Sequence, residues 1–317
     1  MRLPSAPCLT LPGQATPPGQ KFWIKATDGV RCRIGLWLAK NSQGSVLLFP
    51  GRTEYVEVYQ IIAGDFVAGN YNVLTIDWRG QGLADRVYSD RRLGHVAHLS
   101  EYQKDVAAMI SAARALNLTH PWHLLGHSMG GCIGLRAINE GLPVASVVFS
   151  SPMWGINLPL WQRAIARHLS GAARLVNLGK RYAPYTQPIP YLLRVKFENN
   201  ALTNNRDMFE FLRAQLQHHP DLGLGGPSMT WLYAALTETK QLAKTPSPAL
   251  PCITYLGEHE TVVDSHAIKK RMSEWSRGRL IQPLGTRHEP LMESAQQRGE
   301  RIDEMVTMFC DATPDVP

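Results

Sequence analysis

The sequence has few cysteines and no hydrophobic run long enough to cross a bilayer. Only five of its 317 residues are cysteine, none of them in a C-x-x-C pair, and they lie at positions 8, 32, 132, 252 and 310. An odd number without paired spacing argues against a disulfide framework. No stretch approaches the roughly eighteen apolar residues of a membrane-spanning helix. These absences exclude membrane-spanning and disulfide-rich classes, and they favour buried, reduced cysteines in a cytoplasmic protein.

Metal-binding and targeting patterns are missing as well. The eleven histidines include close pairs, but these pairs have no thiol or carboxylate companions at zinc spacing, so we expect no metal site. The first residues include Arg2 but no apolar h-region, and five prolines precede residue 19, so a secretory leader is not expected. We interpret residues 1–20 as an extended N-terminal arm.

Strand and helix patterns alternate along most of the chain, which predicts an α/β domain with a mostly parallel sheet and helices on both faces. The pattern stops between residues 153 and 245, where helical stretches are broken by glycine and proline. We therefore predict a core of 21–152 and 246–317, with about eight strands, and a helical cap inserted at 153–245. The predicted strands are 21–26, 31–38, 45–49, 71–76, 121–125, 144–149, 252–256 and 279–282. The predicted helices are 57–68, one opened by a capping box of Ser100 and Gln103, 128–141, 264–275 and 290–311.

The most informative segment is Gly126-His127-Ser128-Met129-Gly130, which lies where an apolar strand gives way to a helix. Gly-x-Ser-x-Gly in this context is the signature of a nucleophile elbow, a strained turn that exposes the serine and tolerates little but glycine two residues to either side. The pattern alone is short enough to arise by chance as a small-residue turn. The strand and helix around it favour Ser128 as a nucleophile.

A serine nucleophile needs a base, and a third group must orient that base. His288 fits best, because it follows the last predicted strand and precedes the last helix. The acid remains open between Glu260 and Asp264 in the loop after strand 252–256. Glu260 is favoured, since Asp264 stands where a helix begins and is readily explained as its N-cap. Glu258 follows the strand at once and is expected to face solvent.

Two backbone N–H groups are expected to stabilise the oxyanion of a tetrahedral intermediate. Met129 follows the nucleophile directly and supplies one. The loop after strand 45–49 supplies the other, for which we choose the main chain of Arg52. Two contacts of the Arg52 side chain are possible predictions: one with a substrate phosphate, or a salt bridge to a neighbour such as Glu54.

With these residues assembled, the chain resembles the α/β-hydrolases of the monoacylglycerol lipase group, a serine aminopeptidase S33-like family, and within it the bacterial lysophospholipases. The resemblance is densest in four segments: 49–55, 76–85, 126–131 and 288–293. It implies a carboxylic ester hydrolase that acts on monoacyl lipids without a cofactor, with the cap forming the acyl-chain site. The chain departs from the group in carrying Glu260 where aspartate is usual.

Most of the net charge of +7 lies in the predicted cap, where eleven lysines or arginines face five acidic residues. Together with Trp154, Trp161 and Trp231, these cations suit peripheral contact with an anionic inner membrane face. A solvated basic surface over tryptophans that only pack a core explains the same pattern equally well. No basic helix or stacking module accompanies the charge, so nucleic acid is not an expected partner.

Three functions remain open. The first is serine ester hydrolysis, and the second is transfer of the same acyl group to an alcohol. The third is a binding protein on a hydrolase fold that has lost catalysis.

Overall fold

The computed structural model describes residues 3–11, 19–158, 160–176 and 178–312, and within 160–164 it describes the helix but not the side chains. The strands are β1 Gln20–Lys25, β2 Arg31–Trp37, β3 Gly44–Phe49, β4 Tyr71–Asp77, β5 Trp122–His127, β6 Ser146–Ser150, β7 Cys252–Tyr255 and β8 Gly278–Ile281. The helices are α1 Gln60–Ala68, α2 Tyr102–Ala115, α3 Met129–Asn139, α4 Leu160–Leu175, α5 Tyr191–Arg194, α6 Arg206–His218, α7 Met229–Leu242, α8 Ser265–Ser273 and α9 Ala295–Ala312.

The strands of the described chain form one eight-stranded sheet in the order β1-β2-β4-β3-β5-β6-β7-β8. Strand β2 is antiparallel to both β1 and β4, and the pairs from β4 to β8 are parallel. This arrangement confirms the predicted mostly parallel sheet. Parallel strands end at one edge, so the loops after β3, β5, β7 and β8 meet there.

The core has one large apolar cluster on each face of the sheet. Successive residues of β3 alternate between them: Leu47 and Phe49 pack on one face, and Val46 and Leu48 on the other. Cys32, Cys132 and Cys252 are buried, as expected, and their thiols are not joined in disulfides. The alternation is that of a strand covered on both faces, which needs hydrophobic side chains throughout.

A buried ion-pair network joins the antiparallel end of the sheet to the loop after β3. The Arg33 guanidinium bonds Glu57 at 2.6 Å and Asp77 at 2.8 Å, and all three side chains are at most 2% exposed. Asp77 also accepts a hydrogen bond from the Val56 backbone N–H at 2.7 Å. The chain that leaves β3 is thus tied to the end of β4.

Two predicted helix starts are wrong. The capping box is formed by His98 and Glu101, in a short 3-10 turn ahead of α2, and not by Ser100 and Gln103. The Gln103 amide instead donates to the Ile133 carbonyl. The last helix begins at Ala295, and residues 289–294 ahead of it form turns and bends.

Helices α4 to α7 lie between β6 and β7 in the chain, and α4 packs along α7. No strand occurs in the described part of 153–245. The division into arm, core and cap with those boundaries remains a prediction. Among the described helices, none is long and apolar enough to span a bilayer.

Candidate active site

Ser128 occupies a sharp turn between β5 and α3. Its backbone has φ 47° and ψ −115°, a left-handed conformation that a side chain rarely adopts. A Cβ on Gly130 would lie 1.9 Å from the Phe49 carbonyl oxygen, and one on Gly126 would lie 3.0 Å from the Gly130 oxygen. Both positions therefore require glycine, and the turn presses the start of α3 against the end of β3.

His288 reaches Ser128 from the loop between β8 and α9. Its Nε2 lies 3.0 Å from the Ser128 Oγ, and its Nδ1 lies 2.7 Å from the Glu260 Oε2. The other Glu260 oxygen accepts the backbone N–H groups of Val262 at 2.6 Å and Val263 at 3.1 Å. Three loops from the same sheet edge thus join a hydroxyl, an imidazole and a carboxylate in one hydrogen-bonded line.

The structure separates the three carboxylates of the loop after β7. The Asp264 carboxylate accepts the backbone N–H groups of His266 and Ala267 at the start of α8, as an N-cap. Glu258 is exposed and accepts the Gly285 backbone N–H at 2.7 Å. Glu260 is the member of this fully described loop that contacts His288.

The pKa values of the imidazole and its carboxylate shift in opposite directions. Burial alone would lower the pKa of His288, but the Glu260 carboxylate outweighs it and raises that pKa above its ordinary value. Burial alone would raise the pKa of Glu260, but His288 and the two N–H groups lower it to about 2. The pair therefore stabilises an imidazolium, the species formed when a histidine takes a proton from serine.

The two backbone N–H groups expected to bind an oxyanion have no acceptor within the described chain. Met129 is the first residue of α3, and Arg52 lies in the loop after β3; within the described chain neither backbone N–H donates a hydrogen bond. Phe49 at the end of β3 pairs with Gly126 of β5, so the two loops are neighbours. The arrangement can bind an oxygen that carries negative charge.

The loop that carries Arg52 is braced by the turn after β4. The Trp78 indole N–H donates to the Pro50 carbonyl at 3.0 Å, and the Gln81 side-chain oxygen accepts the Thr53 backbone N–H at 2.6 Å. Sequence reasoning assigned Trp78 and Gln81 no role beyond their place in segment 76–85, which carries the family resemblance. Their proximity to the loop depends on the register between β3 and β4, which local patterns do not specify.

The salt bridge considered between Arg52 and Glu54 is absent. The Arg52 Nη2 instead donates to the Gly225 carbonyl at 2.6 Å. Glu54 turns toward the elbow, where its carboxyl accepts the Gly51 backbone N–H and the Tyr59 hydroxyl.

Glu54, His127 and Glu289 form a buried cluster behind His288 that the sequence did not indicate as a unit. The His127 Nε2 lies 3.1 Å from the Glu289 carboxyl and 3.6 Å from that of Glu54. Burial disfavours the charged form of each group, so it lowers the pKa of His127 to about 4. Burial also raises the pKa of Glu54 to about 7, and the charge of Glu289 is the next largest cause of that rise. Burial likewise raises the pKa of Glu289. The spacing within 4.8 Å would suit a metal ion, but each carboxyl is already engaged in the hydrogen-bond network.

Ser128 and His288 open on a cavity of about 390 Å³. Its wall is mostly apolar and includes side chains from the core and from 153–245, among them Val58, Met153, Leu202, Leu212, Leu216 and Trp231. A volume and lining of this kind suit a small apolar ligand held beside a few polar groups.

Comparison with known proteins identifies the fold and the family. The model of the family "Serine aminopeptidase, S33" matches residues 40–295. The chain is 29% identical over 261 residues to the probable lysophospholipase L2 of Haemophilus influenzae, covering 80% of this chain and 79% of that protein. It is 26% identical over 302 residues to lysophospholipase L2 of Escherichia coli, covering 89% and 85%. A monoglyceride lipase variant from Saccharomyces cerevisiae superposes with a TM-score of 0.72 at 19% identity, covering 98% of this chain and all of that one.

Proposed function

The chain belongs to the serine aminopeptidase S33 family of α/β-hydrolases and is a serine hydrolase, and we propose that it hydrolyses the carboxylic ester of monoacyl lipids. The observation that carries this proposal is the contact of Ser128, His288 and Glu260 at the wall of an apolar cavity. Relatives along most of the chain are lysophospholipases by name, which supports a lipid with one acyl chain.

In the proposed mechanism, the Ser128 Oγ attacks the ester carbonyl while the His288 Nε2 takes the hydroxyl proton. The backbone N–H groups of Arg52 and Met129 bind the oxyanion, and Glu260 holds the imidazolium. Collapse of the intermediate expels the alcohol, which takes its proton from His288, and leaves an acyl group on Ser128. Water then attacks with His288 again as base, which releases the fatty acid.

Inhibition and substitution test the mechanism. Ser128→Ala should abolish both ester turnover and covalent labelling by a fluorophosphonate, because no nucleophile remains, while the unfolding midpoint stays near that of the wild type. Turnover retained by this variant would remove Ser128 from the mechanism. A wild-type protein that turns over no ester and resists the fluorophosphonate would instead favour the non-catalytic binding function.

Acyl transfer uses the same acyl-enzyme and differs only in the acceptor. Product analysis with a monoacyl lipid, with and without added glycerol, separates the two functions. We expect fatty acid as the product in both cases, since water is the acceptor in hydrolysis. A new glycerol ester in proportion to added glycerol would establish transfer.

We propose further that the helix α4 and the segment after it rest on an anionic membrane face, which would make the protein peripheral on the inner membrane. Ile165, Leu169, Ala172 and Val176 recur at helical spacing on one face and are exposed, and Leu175 is 87% exposed. Exposed Lys180 and Arg181 follow. An apolar stripe beside cations suits the interface between head groups and acyl chains.

Two of the three tryptophans named as anchors do not form this surface. Trp154 and Trp231 are 3% and 5% exposed and belong to the core, where Trp154 stacks on Trp275. The side chain of Trp161 lies outside the described residues. The described apolar side chains of the proposed surface are therefore aliphatic.

Vesicle binding tests this surface. The wild type should bind vesicles containing phosphatidylglycerol more tightly than pure phosphatidylcholine, and added salt should weaken the difference. Ile165→Ser with Leu169→Ser should weaken binding to both, whereas Leu38→Ser, at another leucine 53% exposed, should not. Binding that is independent of lipid charge and salt would remove the electrostatic part, and unchanged binding of the double variant would remove the apolar part.

A further inference from the structure

The Arg52 side chain lies in the wall of the catalytic cavity. Its Nη2 donates to the Gly225 carbonyl, and its Cζ lies 5.2 Å from the centroid of the Trp231 ring. Trp231 lines the cavity, as do Leu224 and Pro227 on either side of the Gly225 segment. Arg52 itself is also a lining residue. The guanidinium therefore belongs to the same chamber as Ser128.

This guanidinium is a partly buried cation with no carboxylate partner in the described chain. Its Nε is buried and has no hydrogen-bond partner, and no carboxylate in the described chain lies within ion-pair distance of it. Burial lowers its pKa to about 10, and the hydroxyls of Tyr102 and Tyr182 are the groups that oppose this change. By contrast, Arg33 and Arg79 are each paired with two or more carboxylates. A buried charge normally requires a partner, and an arginine fork fits a phosphate.

The number of bonds between the backbone N–H and the guanidinium of Arg52 sets which part of a bound substrate the guanidinium can reach. The backbone N–H of Arg52 is proposed to bind the ester carbonyl, and its guanidinium lies at the far end of the same residue. In a 1-acyl glycerophospholipid, the phosphorus is separated from the ester oxygen by as many bonds as the Cζ of arginine from its own Cα. An extended head group therefore has the length needed to reach the guanidinium while the carbonyl stays at the backbone.

We propose that the Arg52 guanidinium binds the phosphate of the substrate head group and so selects lysophospholipids over uncharged monoacylglycerols. This inference rests on the proposed ester hydrolysis at Ser128. The competing explanation is that Arg52 only links the loop after β3 to the Gly225 segment. The two explanations differ in whether the substrate's charge changes the effect of substitution.

The test compares kcat/KM for a lysophospholipid and for a monoacylglycerol with the same acyl chain, both presented in the same mixed micelles. Arg52→Gln should lower the ratio of the two values about tenfold to a hundredfold, because a hydrogen bond between charged groups is lost only with the phosphate substrate. Any loss common to both substrates cancels in the ratio. Arg52→Lys keeps the charge without the fork and should fall between wild type and Gln. An unchanged ratio in Arg52→Gln would overturn the inference.

Arg86 provides a matched control. Its Nη2 also bonds only a backbone carbonyl, that of Gly82, and its Nε and Nη1 are buried without a partner. It does not line the catalytic cavity. Arg86→Gln should leave the substrate ratio unchanged, and a fall equal to that of Arg52→Gln would count against a specific phosphate site.

A measurement on the wild type keeps the inference testable if the variants fold poorly. Glycerol 3-phosphate should competitively inhibit hydrolysis of an uncharged aryl ester, whereas glycerol at the same concentration should not. Equal effects of the two compounds would overturn the phosphate site. Failure of Ser128→Ala to abolish turnover would instead refute the proposed function, so the two failures are distinguishable.

Discussion

Gly130→Ala is expected to damage the oxyanion site more than the fold. The added Cβ would lie 1.9 Å from the Phe49 oxygen, 2.5 Å from its carbonyl carbon and 2.6 Å from the Pro50 oxygen. All three atoms are backbone, so no side chain can rotate away. The contact must open by about 1 Å before the Cβ reaches 3.0 Å, below which such contacts are essentially never observed.

That displacement separates the start of α3 from the loop that carries Arg52. Overpacking of this kind costs about 1–3 kcal/mol of stability, from which the helix preference for alanine over glycine recovers up to about 1 kcal/mol. Misplacement of a reacting group by about 1 Å costs on the order of 10²-fold in rate, and loss of one oxyanion donor costs about 10²- to 10³-fold. We therefore expect kcat to fall at least about a hundredfold while the protein still folds.

The assay is kcat on an aryl ester, together with urea unfolding. Gly134→Ala is the matched control in the same helix, because its Cβ would meet the end of the Leu124 side chain at 2.8 Å, which can shift. We expect its kcat to stay within about threefold of wild type, since side-chain repacking absorbs small volume changes. Wild-type kcat in Gly130→Ala would refute the inference that this contact holds the donor in place.

Three further predictions follow from the pKa shifts, the helix cap and the buried ion pairs. Because the base must be neutral and the pKa of His288 is raised, the acidic limb of kcat/KM should lie above pH 6.5. Glu260→Gln removes the largest of the contributions that raise this pKa, so the limb should move to lower pH while plateau kcat falls on the order of 10³-fold. Asp264→Ala should lower the free energy of unfolding in urea by about 1 kcal/mol, because the N-cap of α8 is lost, and should leave kcat within about threefold of wild type. A larger loss of kcat than in Glu260→Gln would make Asp264 the acid. Arg33→Met should lower the free energy of unfolding in urea by about 3–5 kcal/mol, because the buried carboxylates of Glu57 and Asp77 lose their cation. A loss under about 1 kcal/mol would refute the inference that this ion pair stabilises the fold.

Local sequence patterns predicted the sheet and the elbow. Apolar strands buried on both faces and a serine between two glycines need only near neighbours to be recognised, and β5, Ser128 and α3 follow the prediction closely. The helix starts at residues 102 and 295 were misplaced, because polar residues near a helix end offer several caps of similar strength.

The order Ser128, acid, His288 was also available from the sequence, since the strand pattern put all three after strands that end at one edge. The sequence favoured Glu260 over Asp264 as the acid, but whether either carboxylate reaches His288 depends on distances between loops far apart in the chain. The structure brings Glu260 to 2.7 Å from His288 and uses Asp264 to cap α8.

By itself, the sequence determined which residues could react, because chain order and glycine spacing follow from covalent connectivity and backbone sterics. Only the tertiary structure decided which groups meet. It turned Glu54 toward His127, left Arg52 without a carboxylate, and buried Trp154 and Trp231, for which composition left a surface and a core position equally open. Those outcomes depend on strand register and on packing between distant segments, where burial changes both the partner and the pKa of a charged group.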